Sequence, residues 1–482
     1  MQSINRVIPD RSKLSTTNII TEVWASLGLP ASALSSVHLP GDGPGLLSSF
    51  KVGQLAQSTI ALSGLSAALV HAARNRFPTV PTVTVPLQHA CAEFNSEKHL
   101  CINGKPKTHI SYPIGGLHRS SDGWVRIHDG FPHHRQNALA LLNVPRDSSK
   151  ATIDAAISTW KAKDLEEQGM KNGCVIAALR SFEEWDTTPQ AAVLPDLPIK
   201  LTKLPTNTPN HPRRSLASGN TKCLEGIRVL DFSRVLAAPI AGRTLAAHGA
   251  DVLWITAPHL PDLPECDRDT ARGKRSVQLD LCNVADKQKF YKLLEDADVV
   301  LQAYRPGALA GLGLSTEELV KRNPSLVVAN LSAWGTEGEW KGRRGYDSIV
   351  QTATGLNVAE GQAAGEEARV LPCQALDHGS GYLLATGIAA ALYRREVEGG
   401  SWVVEVSLAG TGRYLRSLGR HEGRSGFDVE NLAEDDLKGL LETKESGFGS
   451  LTALKHSVSI QDVSVGWEVM PKPLGSDEAR WL

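Results

Sequence analysis

Between residues 223 and 335 the apolar positions gather into four short, nearly continuous runs: IRVLDFS (227–233), ADVLWI (250–255), ADVVLQA (297–303) and LVVANLS (326–332). Runs of this length, rich in Val, Ile and Leu and lacking strict alternation, predict strands covered on both faces, as in a parallel sheet. The intervening stretches PIAGRTLAAHG, NVADKQKFYKLLED and LSTEELVKRN are helical in composition. Gly249 closes the first as a C′ glycine, and Ser315 with Glu318 three residues on forms a capping box at the start of the last. Strand and helix alternating in this way imply right-handed βαβ crossovers and an α/β fold.

A parallel sheet that opens with strand, tight loop and helix invites a dinucleotide reading, which the residues do not support. After VLDF comes SRVLAAPIAG, without GxGxxG, and about 20 residues on the chain reads WITAP where an acid would meet the ribose. No GxxxxGK[ST] is present for a nucleoside triphosphate.

Composition narrows the class. At 482 residues and 41% apolar content the chain can fill more than one core. Lys plus Arg number 51 against 52 Asp plus Glu, so there is no basic footprint for nucleic acid or an anionic membrane, and an anionic ligand must be met locally. Seven scattered cysteines, never spaced CxxC, read as reduced thiols rather than a disulfide or zinc framework. The start, MQSINRVIPDRSKLS, has no apolar core of a signal peptide, and no run of about 18 apolar residues is seen. The expected location is the cytoplasm, with mitochondrion and peroxisome left open.

Candidate chemistry centres on GRRGYDSIVQTATGL (342–356), where Asp347 stands between a Gly-Tyr pair and an apolar run. Two readings are compatible: Asp347 caps the helix that follows, and a helix N-terminus holds an anion ready to act as a nucleophile. Asp377-His378 in LDHGSGYLLATG (376–387) suggests an acid/base pair and HGSG a hydrolase, but a nucleophile elbow joins strand to helix and this stretch precedes only a helix. Asp377 is read as the acid that opens that helix, with Gly381 allowing close packing. His133 and His134 in FPHHRQN are adjacent instead of i, i+4, so surface or interdomain positions are expected and no metal site.

Six consecutive blocks, LEGIRVLDFSRVLAAPIAGRTLAAHGADVLWI, RGKRSVQLDL, ADVVLQAYRPGALAGLGLS, NPSLVVANLSAWG, GYDSIVQTATGL and ATGIAAALYRREVEGGSWVVEVSL, resemble the family III CoA-transferases in order and spacing. That family includes formyl-CoA and carnitine CoA-transferases and α-methylacyl-CoA racemases. The resemblance implies a Rossmann-like, CoA-binding large domain, and a catalytic aspartate at Asp347. It implies CoA transfer between an acyl-CoA and a small carboxylic acid through an aspartyl-acyl anhydride and an aspartyl-CoA thioester, with CoA as substrate and no tightly bound cofactor. Val235, Leu236 and Ala237 align with the loop that cradles the adenine end of CoA, Lys274 and Arg275 with residues that meet its phosphates, and Arg305 with a further cation. The sequence departs from the pattern at Ala303, at Thr256-Ala257 and at Ala237-Ala238-Pro239. A racemase would need an acid where Gly410 stands; racemisation and a catalytically degenerate CoA-binding protein are the alternatives. Relatives form interlocked dimers, so a homodimer is expected too.

The remainder shows a partial internal repeat. Residues 61–94 echo 384–415: a small-residue helix, a basic patch, then a strand. SSDGWVRIHDGFPHHRQNALALLNV and SFEEWDTTPQ resemble the family's small α+β domain, and 457–482 its closing segment. Residues 1–215 are therefore expected to form a degenerate half-unit with the small domain and a linker at 197–222, residues 216–420 the large domain, and 421–482 a closing segment.

Overall fold

The computed structural model describes residues 7–106, 113–205, 219, 221–429 and 432–482. Most of the expected linker, 206–218 and 220, lies outside the described residues, as do residues 1–6.

A seven-stranded sheet organises the molecule: β1 (Lys200–Lys203), β2 (Arg228–Phe232), β3 (Asp251–Thr256), β4 (Lys274–Gln278), β5 (Val299–Gln302), β6 (Val327–Ser332) and β7 (Trp402–Ser407). Their spatial order is β4-β3-β2-β5-β6-β7-β1. Six strands are parallel and β1 pairs antiparallel with β7. The four sequence runs coincide with β2, β3, β5 and β6. Side chains alternate between two covered faces, as the two-residue period of a strand requires. Val229, Val252, Val299 and Val327 enter the main core, whereas Leu230, Leu253, Val300 and Val328 enter a second one with Phe290 and Leu293. Strand β1 falls in the stretch read as linker; lysines at both ends suit it to an exposed sheet edge.

Three helices cross the main-core face: α1 (Val52–Asn75), α2 (Ala237–Ala247) and α4 (Ala375–Glu398), with α4 packed against both others. A short helix, α3 (Asp347–Ala353), lies near the start of α4. By length and hydropathy α1 could cross a bilayer, yet its whole apolar window is buried inside the protein. The contact of α4 with α2 depends on Gly381: a Cβ there would lie 2.5 Å from the Ala237 carbonyl oxygen and 2.8 Å from Ile240 Cβ. Gly381→Ala is expected to destabilise the protein by about 1–3 kcal/mol, read as a lower urea midpoint at unchanged m-value.

The segment expected to be the small domain carries an antiparallel sheet, Gly116–Arg119, Trp124–Ile127 and Ile176–Ala178, closed by helices Lys150–Ile157 and Ala162–Lys171 over a core of Val125, Ile153, Ile157 and Leu165. The C-terminal segment returns to the large sheet. Its hairpin pairs Thr452 with Cys101, the Trp467 indole donates to the Arg243 carbonyl at 2.8 Å, and Asp477 accepts from the Ser276 N–H at 2.9 Å.

Residues 93–97 of the N-terminal half form a buried polar hub. Glu93 accepts from the Ser457 N–H at 2.8 Å and pairs with His456 at 2.8 Å. Ser96 donates to Asp269 at 2.7 Å, and Glu97 meets His378 at 3.1 Å. Asp269 binds Arg243 and, at 2.6 Å, Arg272; all three side chains are essentially inaccessible. Burial opposes the charge on Asp269, but the two guanidinium groups outweigh it and hold the carboxyl well below the usual carboxylate range.

Candidate active site

In the sheet order, β2 is flanked by β3 on one side and β5 on the other. The chain reverses its winding between β2 and β5, and loops leaving two adjacent carboxyl ends in opposite directions open a crevice between them. Residues 234–236 after β2 and 303–305 after β5 line that crevice, a cleft of about 330 Å³. Val235 is held at φ 74°, a left-handed conformation rare for a β-branched residue and typical of strain retained at functional loops. Facing these loops are Phe131, His133 and His134 from the small domain, and Arg344, Tyr346 and Asp377 from the second half of the chain.

Asp347 sits one layer behind the cleft wall, 1% exposed. It does not cap its own helix: it is the first residue of α3, after Tyr346, whose side chain makes no capping bond. Its carboxylate caps another helix instead. Oδ2 accepts from the Leu376 and Asp377 N–H groups at 2.8 and 3.0 Å, in the first turn of α4, and Gln351 Nε2 donates to Oδ1. Gln351 is locked in that orientation because its own oxygen accepts from Asn357 Nδ2 at 2.9 Å and the Leu371 N–H at 3.0 Å. Burial pushes Asp347 up to about 6, and the donated hydrogen bonds together with the neighbouring His378 keep it from rising further. The result is a desolvated carboxylate, anchored at the N-terminus of a 24-residue helix and titrating just below neutrality.

Asp377 lines the cleft and lies close to this carboxylate. It is raised well above the usual range, first by burial and then by the charges of Asp347 and Glu97. Tyr346, the residue before Asp347, stacks on His128 with ring centroids 4.0 Å apart and nearly parallel planes. Burial keeps His128 and His134 down at about 4 and about 3, so this wall is neutral and aromatic at physiological pH.

Of the residues expected to hold CoA, Val235, Leu236, Ala237 and Arg305 line the cleft. Lys274 and Arg275 do not. Lys274 is buried beneath α2, donating to Asp231 at 2.8 Å and to the Pro239 carbonyl at 2.9 Å. Arg275 embraces Asp251 at 2.8 and 3.0 Å and donates to the Arg480 carbonyl at 2.8 Å. Both cations are neutralised within the fold, so neither can receive phosphate. Arg234 and Arg344, not singled out in the sequence, take their place on the cleft wall. Together with Arg305 they bear on the Tyr346 hydroxyl, and among the described residues none of the three forms an ion pair with a carboxylate; Arg234 donates to the Pro261 carbonyl and Arg305 to that of Gly342. The sequence clue was positional: Arg234 follows the apolar run 227–233, and Arg344 lies three residues before Asp347. His133 and His134 are interdomain residues, facing the cleft.

The chain thus combines an α/β fold with a helix-anchored, buried carboxylate behind a cleft lined by arginines. Residues 224–419 match the family model of CoA-transferase family III, and the resemblance read from the sequence is borne out over that segment. A probable fatty acyl-CoA transferase of Mycobacterium tuberculosis is 36% identical over 226 residues, which cover 44% of this chain and 57% of that protein. An acetyl-coenzyme A transferase of Hypoxylon pulicicidum is 31% identical over 269 residues, covering 55% and 42%. A formyl-CoA:oxalate CoA-transferase of Rhodopseudomonas palustris is 33% identical over 191 residues, covering 37% and 44%. The chain spans about half the length of the curated relatives it matches.

Proposed function

We propose that this chain is an acyl-CoA:carboxylate CoA-transferase with Asp347 as nucleophile. The observation that carries the reading is the buried Asp347 carboxylate at the first turn of α4, directly behind a cleft lined by three arginines that form no ion pair with a carboxylate among the described residues. The Asp347 oxygen attacks the thioester carbonyl carbon; the C–O bond forms, the C–S bond breaks and CoA leaves as thiolate. The thiolate attacks the aspartyl carbonyl of the resulting anhydride, releasing the first acid and leaving an aspartyl-CoA thioester. An acceptor carboxylate attacks that thioester and frees the thiolate again. Attack of the thiolate on the acceptor's acyl carbon gives the new acyl-CoA and restores Asp347. Every step is an acyl substitution, so no oxidant or reductant is required.

In this reading the large domain is Rossmann-like, with CoA lying across the switch point between β2 and β5. A second, apolar cleft of about 200 Å³, lined by Ile255, Leu279, Leu281 and Leu309, shares Phe232, Leu260 and Tyr304 with the first and suits the adenine end. The three arginines receive the anionic groups. Arg344→Ala and Arg305→Ala are each expected to raise KM for the CoA thioester roughly 10-fold with kcat little changed, measured by steady-state kinetics. The internal repeat finds support in α1 and α4, both 24 residues long, whose preceding residues Lys51 and Gln374 share an uncommon backbone conformation (ψ 52° and 62°). The N-terminal half then completes the site, because it supplies the small domain. Gly410 accompanies no acid at the site of a racemase base: its N–H is capped by Ser407 Oγ at 3.0 Å.

The test is isotope exchange. Labelled CoA should pass into unlabelled acetyl-, succinyl- or palmitoyl-CoA without any acceptor acid, since the anhydride forms before the acceptor binds. Direct CoA binding with no exchange from any thioester would overturn transfer in favour of a binding protein, and deuterium incorporation at the α-carbon would point to racemisation.

A further inference from the structure

Asp377 is the one carboxyl on the cleft wall, and its side chain makes no hydrogen bond to any other described residue. Its backbone N–H holds Asp347, so the two carboxyl groups belong to one cluster. We propose that Asp377 is a second catalytic carboxyl, an acid whose O–H faces the cleft and donates a hydrogen bond to the thioester oxygen as Asp347 attacks; this rests on the transferase reading above.

Two carboxylates bear on Asp377, Asp347 from α3 and Glu97 from the N-terminal half, with the Tyr346 phenol also within electrostatic reach. Arg234, Arg305 and Arg344 line the same cleft, but none of them forms an ion pair with Asp377. The imidazole next in sequence, His378, is turned to Glu97 at 3.1 Å, and its Nδ1 is buried with no partner among the described residues. Burial lifts Glu97, but the hydrogen bond and charge of His378 bring it below the usual range. Glu97 and Asp347 therefore carry negative charge close to Asp377, and like charges in a desolvated cluster force one carboxyl to keep its proton. That carboxyl is the one with the least internal support, since Asp347 has three donors and Glu97 has His378. A neutral acid left without a protein acceptor and open to the cleft is placed to donate to a substrate oxygen.

The chemical step balances without net proton transfer. As the Asp347 oxygen bonds to the carbonyl carbon, the C=O electron pair moves onto oxygen, and the Asp377 O–H stabilises that oxyanion. When the C–S bond breaks, the pair returns to re-form C=O, the thiolate leaves with the C–S electrons, and the proton stays on Asp377. A single oxyanion donor of this kind is worth on the order of 10²–10³-fold in rate.

Two measurements on the full chain test this. In protein labelled with ¹³C at the Asp carboxyls, the Asp377 signal, assigned by its loss in Asp377→Asn and distinguished from that of buried Asp267 by its loss in Asp267→Asn, should remain in the protonated region at pH 7; this arm is independent of activity. In a quenched-flow assay with acetyl-, succinyl- and palmitoyl-CoA, Asp377→Ala should form the Asp347 adduct roughly 100-fold more slowly, while Asp377→Asn, which keeps a neutral N–H donor, should retain most of the rate. An Asp377 signal that is ionised at pH 7, an Asp377→Ala variant that is folded yet forms the adduct at the wild-type rate, or Asn and Ala variants that are equally slow would each overturn the proposal. Absence of any adduct in the wild-type protein would overturn the transferase reading instead, and the role built on it, while the carboxyl signal still reports where the proton resides.

Discussion

Asp347→Asn should lower turnover by roughly 10⁴-fold while leaving the fold and CoA affinity largely intact. Asparagine has the same shape and can still accept from the Leu376 and Asp377 N–H groups, but it cannot form an anhydride. In the wild-type protein, activity should rise with pH through about 6 as the carboxyl ionises. Stability should move the other way. Because the folded state holds the Asp347 proton more tightly than the unfolded chain, the stabilisation from this group is complete below about pH 4 and is lost as pH rises through about 6. The difference in unfolding free energy between wild type and Asp347→Asn should therefore change by on the order of 3 kcal/mol across that window, in favour of the variant at the alkaline end. Denaturant melts at pH 4 and pH 7.5 measure it. The variant gains no further advantage, since its new amide N–H must face the locked Gln351 Nε2, donor against donor.

The second large effect is expected far from the cleft. Asp269→Ala should destabilise the protein by about 3–5 kcal/mol, because it leaves Arg243 and Arg272 buried at 0% and 1% side-chain exposure without their shared carboxylate. The loss falls on the hub that joins the N-terminal half, α2 and the C-terminal segment. It should appear as a lower urea midpoint and as earlier proteolysis at the junction of residues 93–97 with residues 454–457. The pair's contribution also fixes a sign: the Asp269 carboxyl is depressed, so its stabilisation is present near neutrality and fades on acidification below the normal carboxylate range.

The sheet was legible because its strands are covered on both faces, and a short apolar run is the direct record of that burial. Asp347 was legible as a carboxylate at the mouth of a buried segment. What it caps was not, since its partners at 376 and 377 are about thirty residues away and approach only through the packing of α3 on α4. Lys274 and Arg275 misled for a related reason: a basic pair after a glycine looks like a phosphate site, yet here each cation meets an aspartate of the same sheet, Arg275 meeting Asp251 on the adjacent β3 and Lys274 reaching Asp231 on β2, one strand further. Arg344 in GRRG carries no signal of its own in the sequence and is placed on the cleft wall just before α3. Strand β1 was hidden in a Pro- and Thr-rich stretch because an edge strand with lysines has no apolar pattern to reveal it. Glu97 and the His128 to Tyr346 stack belong to contacts between the two halves of the chain, for which no local pattern exists.

Attack of Asp347 on the thioester carbonyl can be caught by peptide mass spectrometry after rapid quenching. Incubation with acyl-CoA should place an acyl or CoA mass on the peptide carrying GYDSIVQ, at Asp347, and hydroxylamine should convert that aspartate to its hydroxamate. Turnover with that peptide unmodified, or with the mass carried by a different residue, would contradict it.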